Sequence, residues 1–300
     1  MKLDEPFIDA HQHFWDLSRN RYPWLQDDKP IGFRYGDYTA LKRNYLPAEF
    51  ARDTDGFTPA ATVHIEAEWD RAAPVAETKW LTEIASETGR PSACVAHAAL
   101  DQEDVEDVLA AQADYPLVRG IRHKPITSAT RADARRGVRG SMDDERWRRG
   151  FAMLERHGFS FDLQAPWWNL DQAMDLARDF PQTQIIINHA ALPADRSAEG
   201  LAGWRAALEH IAQCPNVAIK ISGLGQRDHA WTRECNMPVI RQTVDIFGAG
   251  RCMFASNYPV DSLVASYRTI LDGFIAAIAD RPDADRRKLL FDNAQRIYRL

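Results

Sequence analysis

The sequence contains few cysteines, and none of them lies close to another. Its 300 residues include four, at Cys94, Cys214, Cys235 and Cys252, and no Cys-x-x-Cys pair occurs. Zinc knuckles and dithiol redox centres need such pairs, so neither class of site is indicated. We therefore expect four reduced thiols with a structural role.

The sequence also has no long apolar run. No stretch reaches the roughly 18 residues that a membrane-spanning helix requires. The opening segment, MKLDEPFIDAHQHFW, places acidic residues directly after Lys2. It lacks the apolar core of about 7 to 15 residues that marks a secretory signal. We expect a cytoplasmic protein that has no membrane partner.

Positive charge is not in excess. The chain has 37 Lys and Arg residues against 43 Asp and Glu residues, and hydrophobic residues make up 45%, enough to bury a substantial core. Such a chain offers no basic field for a phosphate backbone, so we expect a small-molecule substrate and no nucleic acid partner. The oligomeric state stays open, and a homo-oligomer is compatible with the sequence.

Short runs of β-branched or apolar residues recur along the chain, separated by charged stretches. Within these stretches apolar residues return every three or four positions, as in residues 75–88 and 143–157, which is typical of helices. Gly158, Gly248 and Gly250 lie where such helices are expected to end. The eight runs predicted as strands are residues 7–10, 61–65, 93–98, 118–121, 159–163, 184–188, 217–222 and 252–256.

This alternation predicts an α/β protein with a parallel sheet, either a closed barrel or an open doubly wound sheet. No Gly-x-Gly-x-x-Gly or Gly-x-x-x-x-Gly-Lys-Ser loop follows any of the runs, so the nucleotide-binding uses of an open sheet lack support. We predict a (β/α)8 TIM barrel that forms one domain over residues 1–300. Residues 14–60 and 124–142 are expected to be insertions at its mouth.

Polar residues follow nearly every predicted strand, at the end of the barrel where such enzymes hold their active sites. His11 and His13 are two residues apart, a spacing that directs both imidazoles to one face of a strand. His189 follows the sixth run, where it either joins them or caps a helix. Converging imidazoles suit a divalent transition metal, although the partner they share can also be the substrate itself.

Six segments of the sequence are distinctive when taken together. They are IDAHQHFW at residues 8–15, YPWL at 22–25, GIRH at 120–123, NHAALP at 188–193, KISGLG at 220–225 and MFASNYPVD at 253–261. The chain resembles the amidohydrolase superfamily over essentially its whole length, and within it the branch similar to 2-pyrone-4,6-dicarboxylate lactonases and sugar lactonases. The resemblance implies hydrolysis of a lactone or related carbonyl compound, with His11, His13 and His189 around the reacting centre.

The sequence departs from that family at two positions. Members usually carry an aspartate after the eighth strand, where it binds metal and takes a proton from water, but this chain has Asn257; Asn188 likewise stands where many relatives have aspartate. An amide offers an oxygen but cannot accept that proton. The resemblance implies zinc or manganese on His11, His13 and His189, and the missing carboxylates leave open whether a metal binds.

Without the aspartate, another group must act as the base. Asp261 is one candidate, although it can instead cap the helix that begins there. Glu66 is a second, with alternative roles as a metal ligand or as a partner of Arg122. His123 is a third, because an imidazole titrates near neutrality. The sequence does not decide among them.

Basic side chains at two strand ends are candidates for substrate recognition. Arg122 and Lys220 are expected to bind a carboxylate or polarise a carbonyl, unless internal ion pairs with Glu66 or Asp162 occupy them. Large and polar side chains beside the strands are expected to contact the substrate as well. These are Trp15, Gln164, Trp167 and Asn257.

Three functions are consistent with these observations. The leading hypothesis is a hydrolase that opens a carboxylated or sugar-acid lactone by attack of water on the ring ester. The second, motivated by Asn257, is a metal-independent lactone isomerase or decarboxylase on the same barrel. The third is a non-catalytic ligand-binding barrel. Hydrolysis alone adds one water to the mass of the substrate, so product mass separates the first two.

Overall fold

The sheet of this protein consists of eight parallel strands, each hydrogen-bonded to its neighbours in sequence. The structure is a computed structural model that describes residues 5–300. The strands are β1 (Ile8–Gln12), β2 (Ala61–Ile65), β3 (Ala93–His97), β4 (Val118–Arg122), β5 (Ser160–Leu163), β6 (Ile185–Ile187), β7 (Val217–Ile221) and β8 (Cys252–Phe254). A parallel bridge between Gln12 and Tyr258 closes the seam between the first and last strands. The predicted (β/α)8 barrel is confirmed.

Helices connect the strands and surround them. The α-helices are α1 (Pro23–Gln26), α2 (Pro47–Asp53), α3 (Ala76–Thr88), α4 (Val105–Ala113), α5 (Glu145–Ala152), α6 (Leu170–Asp179), α7 (Ala198–Ile211), α8 (Arg233–Phe247), α9 (Tyr267–Ile278), α10 (Asp283–Arg287) and α11 (Asn293–Tyr298). Ser197, Thr232 and Ser266 cap α7, α8 and α9 by accepting a backbone N–H. Within residues 5–300, no helix combines the length and apolar character needed to cross a membrane.

One predicted helix is divided in two. The pattern over residues 143–157 predicts a single helix, but the structure has α5 and a separate 3₁₀-helix, Glu155–His157. Gly158 ends this segment with φ of +64°, a conformation that glycine adopts without strain. Gly248 ends α8, so Gly250 lies inside the following 3₁₀-helix rather than after a helix, which corrects that expectation.

The amino-terminal end of the barrel is filled by apolar side chains. Inward-facing residues of the strands, such as Ile8, Val63 and Met253, form a buried cluster. Ile297 and Tyr298 of α11 pack against it from below. The polar side chains of the sheet therefore collect at the carboxyl ends, as the barrel architecture predicts.

The first insertion builds one wall of the mouth. Between β1 and β2, aromatic side chains of residues 24–38 pack against one another: Trp24 stacks on Phe33 with ring centroids 5.9 Å apart, and Phe33 lies 5.0 Å from Tyr38. Trp15 anchors the insertion, because its indole N–H donates to the Arg43 carbonyl over 2.7 Å. The segment that connects these aromatics is thereby fixed over the barrel.

Candidate active site

A cavity of about 400 Å³ lies at the carboxyl ends of the strands and beneath the first insertion. Because β1, β4, β5, β6 and β8 are followed by polar residues, side chains distant in sequence meet there. Six of the predicted site residues line it: His13, Trp15, Arg122, Gln164, His189 and Asn257. Half of the twelve predicted site residues therefore lie on one cavity.

Three histidines converge below this cavity. The ring centroid of His11 is 5.0 Å from that of His13 and 4.6 Å from that of His189. His11 and His13 share a face because they are two positions apart in an extended segment. His189 begins four consecutive residues with positive φ, ending at Leu192. This left-handed turn costs about 1–2 kcal/mol per residue, and it turns the His189 imidazole toward the other two.

All three imidazoles are neutral. Burial lowers the pKa of His13 well below its usual range, and the nearby Arg122 lowers it further. Burial likewise lowers the pKa of His11 and His189, with additional repulsion from Lys220 and Arg34 respectively.

The tautomer of His13 follows from its hydrogen bond. Its Nδ1 lies 2.7 Å from the Ile65 carbonyl oxygen, which only accepts, so Nδ1 carries the proton. The Nε2 atom of a neutral imidazole in this tautomer has a free lone pair. His13 also lines the cavity, and it therefore has the form that a general base requires.

His11 has unsatisfied polar atoms. The side chain is fully buried, and neither ring nitrogen has a hydrogen-bond partner among residues 5–300. An unpaired buried polar atom costs about 1–3 kcal/mol, so both ring nitrogens of His11 are candidates for contact with a bound molecule. Yet the described residues contain no group of three or more His, Cys, Asp or Glu side chains arranged to hold a metal ion. With Asn257 in place of a carboxylate, the residues as placed do not fit a divalent metal, and we assign no step to one.

Arg122 is fixed by a buried carboxylate. Its Nε donates to Glu66 Oε1 over 2.7 Å, and its Nη1 donates to Gln164 Oε1 over 3.2 Å. Burial alone would raise the pKa of Glu66, but Arg122 and Arg71 hold it well below its usual range. Glu66 is therefore ionised and positions Arg122, which is the ion-pair alternative among its predicted roles.

Lys220 lies inside the barrel rather than on the cavity. It is fully buried, and its Nζ donates to Asp162 Oδ1 over 2.5 Å. Tyr298 donates to the same carboxylate from α11. Burial lowers the pKa of Lys220 to about 8, although Asp162 opposes this shift. Lys220 therefore has the internal ion pair that was the alternative to its expected contact with substrate.

Asp261 lies behind Asn257. Its Oδ1 accepts from Asn257 Nδ2 over 2.6 Å and from the Tyr35 hydroxyl over 2.9 Å, and the side chain is fully buried. Burial raises the pKa of Asp261 to about 6, while Arg34 and these donors act in the opposite direction. Asp261 therefore fixes Asn257 and Tyr35 and does not itself border the cavity.

Two further predicted site residues do not line this cavity. His123 borders a neighbouring cavity, where its Nδ1 accepts the Leu100 N–H over 3.0 Å. Trp167 lies in a 3₁₀-helix after β5 that turns its ring onto α7, where it approaches Gly203.

The sequence predicted that the first insertion lies at the mouth, but of its side chains that line the cavity it identified only Trp15. Arg34 lines the cavity, as do Trp24 and Phe33. Glu68 and Lys124 also line it and form an ion pair across its edge. The only signal was the concentration of aromatic residues in the insertion, which indicates a fixed segment but not which side chain faces inward.

Comparison with known proteins agrees with this architecture. A family model described as amidohydrolase matches residues 8–300. An uncharacterized protein of Sinorhizobium fredii is 39% identical over 298 residues, covering 99% of each chain. An L-fucono-1,5-lactonase of Burkholderia multivorans is 30% identical over 305 residues, covering 98% of this chain and 96% of that one.

A solved structure shows the same fold. It is a crystal structure of an amidohydrolase from Burkholderia multivorans with bound zinc, which matches with a TM-score of 0.81 at 27% sequence identity and covers 99% of this chain and 100% of that chain. The family match extends over nearly the entire sequence, with strands, helices and histidine segments all included. This chain belongs to the amidohydrolase family.

Proposed function

We propose that this protein hydrolyses a lactone by attack of water on the ring ester carbonyl. The observation that carries the proposal is the fixed tautomer of His13, whose neutral imidazole keeps its Nε2 lone pair on a cavity that also contains the Arg122 guanidinium. A base beside an electrophilic cation is the arrangement that ester hydrolysis requires. Relatives named as lactonases support the same chemistry.

The proposed steps balance without another reactant. His13 Nε2 takes a proton from water as the water oxygen bonds to the carbonyl carbon. Arg122 stabilises the negative charge that develops on the carbonyl oxygen. When the ring C–O bond breaks, the leaving oxygen takes the proton back from the imidazolium, and the product is a hydroxy acid. Asn257 Oδ1 and Gln164 Nε2, the amide atoms not used in the bonds to Asp261 and Arg122, can form hydrogen bonds to the ring substituents.

The direct test is turnover of a lactone panel by the purified protein. We expect the product mass to exceed the substrate mass by one water, with one proton released per ring opened. A product of unchanged mass would instead support isomerisation, and loss of carbon dioxide would support a decarboxylase. Binding of these lactones without any turnover would support the ligand-binding barrel.

We also propose that this hydrolysis does not depend on a divalent metal. The support is the absence of a metal-holding side-chain group among the described residues and the amide at Asn257. Dialysis against a chelator is expected to change kcat/KM by less than about twofold, since each mechanistic role is filled by a side chain. Metal content is measured on the same sample. A stripped protein whose rate rises about tenfold or more with zinc or manganese would contradict this proposal.

A further inference from the structure

Arg34 is a cation of the cavity whose donors are free. It lies in the first insertion, lines the cavity, and has a side chain that is 29% exposed. Its guanidinium donates no hydrogen bond to any residue between 5 and 300, although it carries five N–H groups. Its contact with Asp261, 3.6 Å from Nη2 to Oδ1, is too long for a hydrogen bond.

The other cations near the site have their own carboxylates. Arg122 is held by Glu66, and Lys124 is paired with Glu68. Lys220 is paired with Asp162 below the cavity. In the described part of the chain, Arg34 is thus the cation of this cavity that keeps its donors available for a ligand.

Asp261 does not use those donors. Its Oδ1 atom, the one nearest Arg34, already accepts from Asn257 and Tyr35. The guanidinium of Arg34 therefore has a neighbouring charge but no hydrogen-bonding partner. Such a group binds a second carboxylate well, because two parallel N–H groups match the two oxygens of a carboxylate.

The position of Arg34 is well defined. Its guanidinium carbon lies 4.6 Å from the centroid of the Tyr35 ring. It also approaches Gly223, where an added Cβ would lie 2.6 Å from Arg34 Nη2 and from His189 Nδ1. The guanidinium therefore lies beside His189, on the cavity that His13 also lines.

We propose that Arg34 binds a carboxylate carried by the substrate, so that the lactone belongs to the dicarboxylic acid class. One carboxyl group forms the ring ester that is hydrolysed, and the other remains free and is bound by Arg34. This inference rests on the proposed lactone hydrolysis. It selects a carboxylated lactone over a lactone without a free carboxylate, and it names a residue of the first insertion as the determinant of specificity.

The test uses a matched pair of lactones. One is an aldonic acid 1,5-lactone, and the other is its counterpart with the terminal hydroxymethyl group oxidised to a carboxylate. The wild-type protein is expected to prefer the carboxylated lactone, and Arg34→Gln is expected to lower the ratio of the two kcat/KM values about 100-fold. Arg34→Lys keeps the positive charge but lacks the parallel N–H groups of a guanidinium. Its ratio of kcat/KM values is therefore expected to lie between those of the wild type and Arg34→Gln.

A matched control comes from the same insertion. Arg43 is exposed and stacks on Tyr45 outside the cavity, and Arg43→Gln is expected to leave the ratio unchanged. If Arg34 serves only as a counter-charge for Asp261, Arg34→Gln would shift the pH profile for both lactones equally. An unchanged ratio with such a shift would overturn the proposal.

A binding measurement separates this proposal from the proposed function. Glutarate, a five-carbon dicarboxylate, is titrated calorimetrically into wild type and Arg34→Gln, with circular dichroism to verify that the variant is folded. We expect the variant to bind at least about tenfold more weakly. Equal binding would overturn the role of Arg34 whether or not a lactone is hydrolysed. Weakened binding without turnover of any lactone would support Arg34 and contradict the hydrolysis.

Discussion

Replacement of His13 by glutamine is expected to lower kcat by about 10²- to 10⁴-fold, the usual contribution of a general base. Glutamine is similar in length and keeps a polar end, but it cannot accept a proton at neutral pH. The hydrogen bond between Nδ1 and the Ile65 carbonyl leaves Nε2 as the ring nitrogen with a free lone pair, the proton acceptor of the proposed mechanism. Because the substitution removes an interaction that is made in the transition state and not with the bound substrate, KM is expected to change by less than about threefold.

His210 provides the control for this substitution. It lies exposed in the last turn of α7, so His210→Gln makes the same chemical change away from the cavity and is expected to leave kcat unaltered. Steady-state kinetics of both variants on the same lactone make the comparison. If His13→Gln retains more than about a tenth of the wild-type kcat, another group is the base.

The barrel was predictable from the sequence because its signals are local. Each strand is a short apolar run between amphipathic stretches. Such a run is the sequence pattern typical of a parallel strand that is buried on both faces. The prediction for β2 matches the structure at both ends, and that for β7 differs by one residue. The largest difference concerns β1, which extends to Gln12, so that His11 lies within the strand instead of after it.

The arrangement of the charged groups was not predictable in the same way. Lys220 and Arg122 both follow the pattern of inward-facing residues, but only Arg122 borders the cavity. The difference depends on Asp162 and on Tyr298, which reaches the same carboxylate from the opposite end of the chain. Such a contact joins residues 136 positions apart, and no pattern within one strand encodes it.

Arg34 was missed for a related reason. The first insertion has little regular structure near this residue, so no periodicity indicates which side chains face the barrel. The orientation of Arg34 results from the packing of Trp24, Phe33 and Tyr38. It also depends on the close approach of Gly223, which lies in the loop that follows β7. Cavity residues that lie at strand ends are therefore predictable from the sequence. Cavity residues whose orientation depends on the tertiary packing of a loop are not.

Gly223→Ala is expected to reduce kcat/KM by at least about 100-fold, since sub-ångström placement of catalytic groups controls the rate. Gly223 has φ of +59°, and an added Cβ would lie 2.6 Å from both His189 Nδ1 and Arg34 Nη2. No real Cβ contact is that short, so both side chains must move. The substitution also strains the backbone and is expected to lower the free energy of unfolding by about 1–2 kcal/mol.

Gly89→Ala separates the two effects. Gly89 ends α3 with φ of +74°, but an added Cβ there meets no atom within 4 Å. It is therefore expected to lose a similar free energy of unfolding from backbone strain while keeping wild-type kcat/KM. Denaturant unfolding and steady-state kinetics are measured on both variants. Equal activity losses would mean that strain alone inactivates the protein, whereas a loss confined to Gly223→Ala would show that the positions of His189 and Arg34 control the rate.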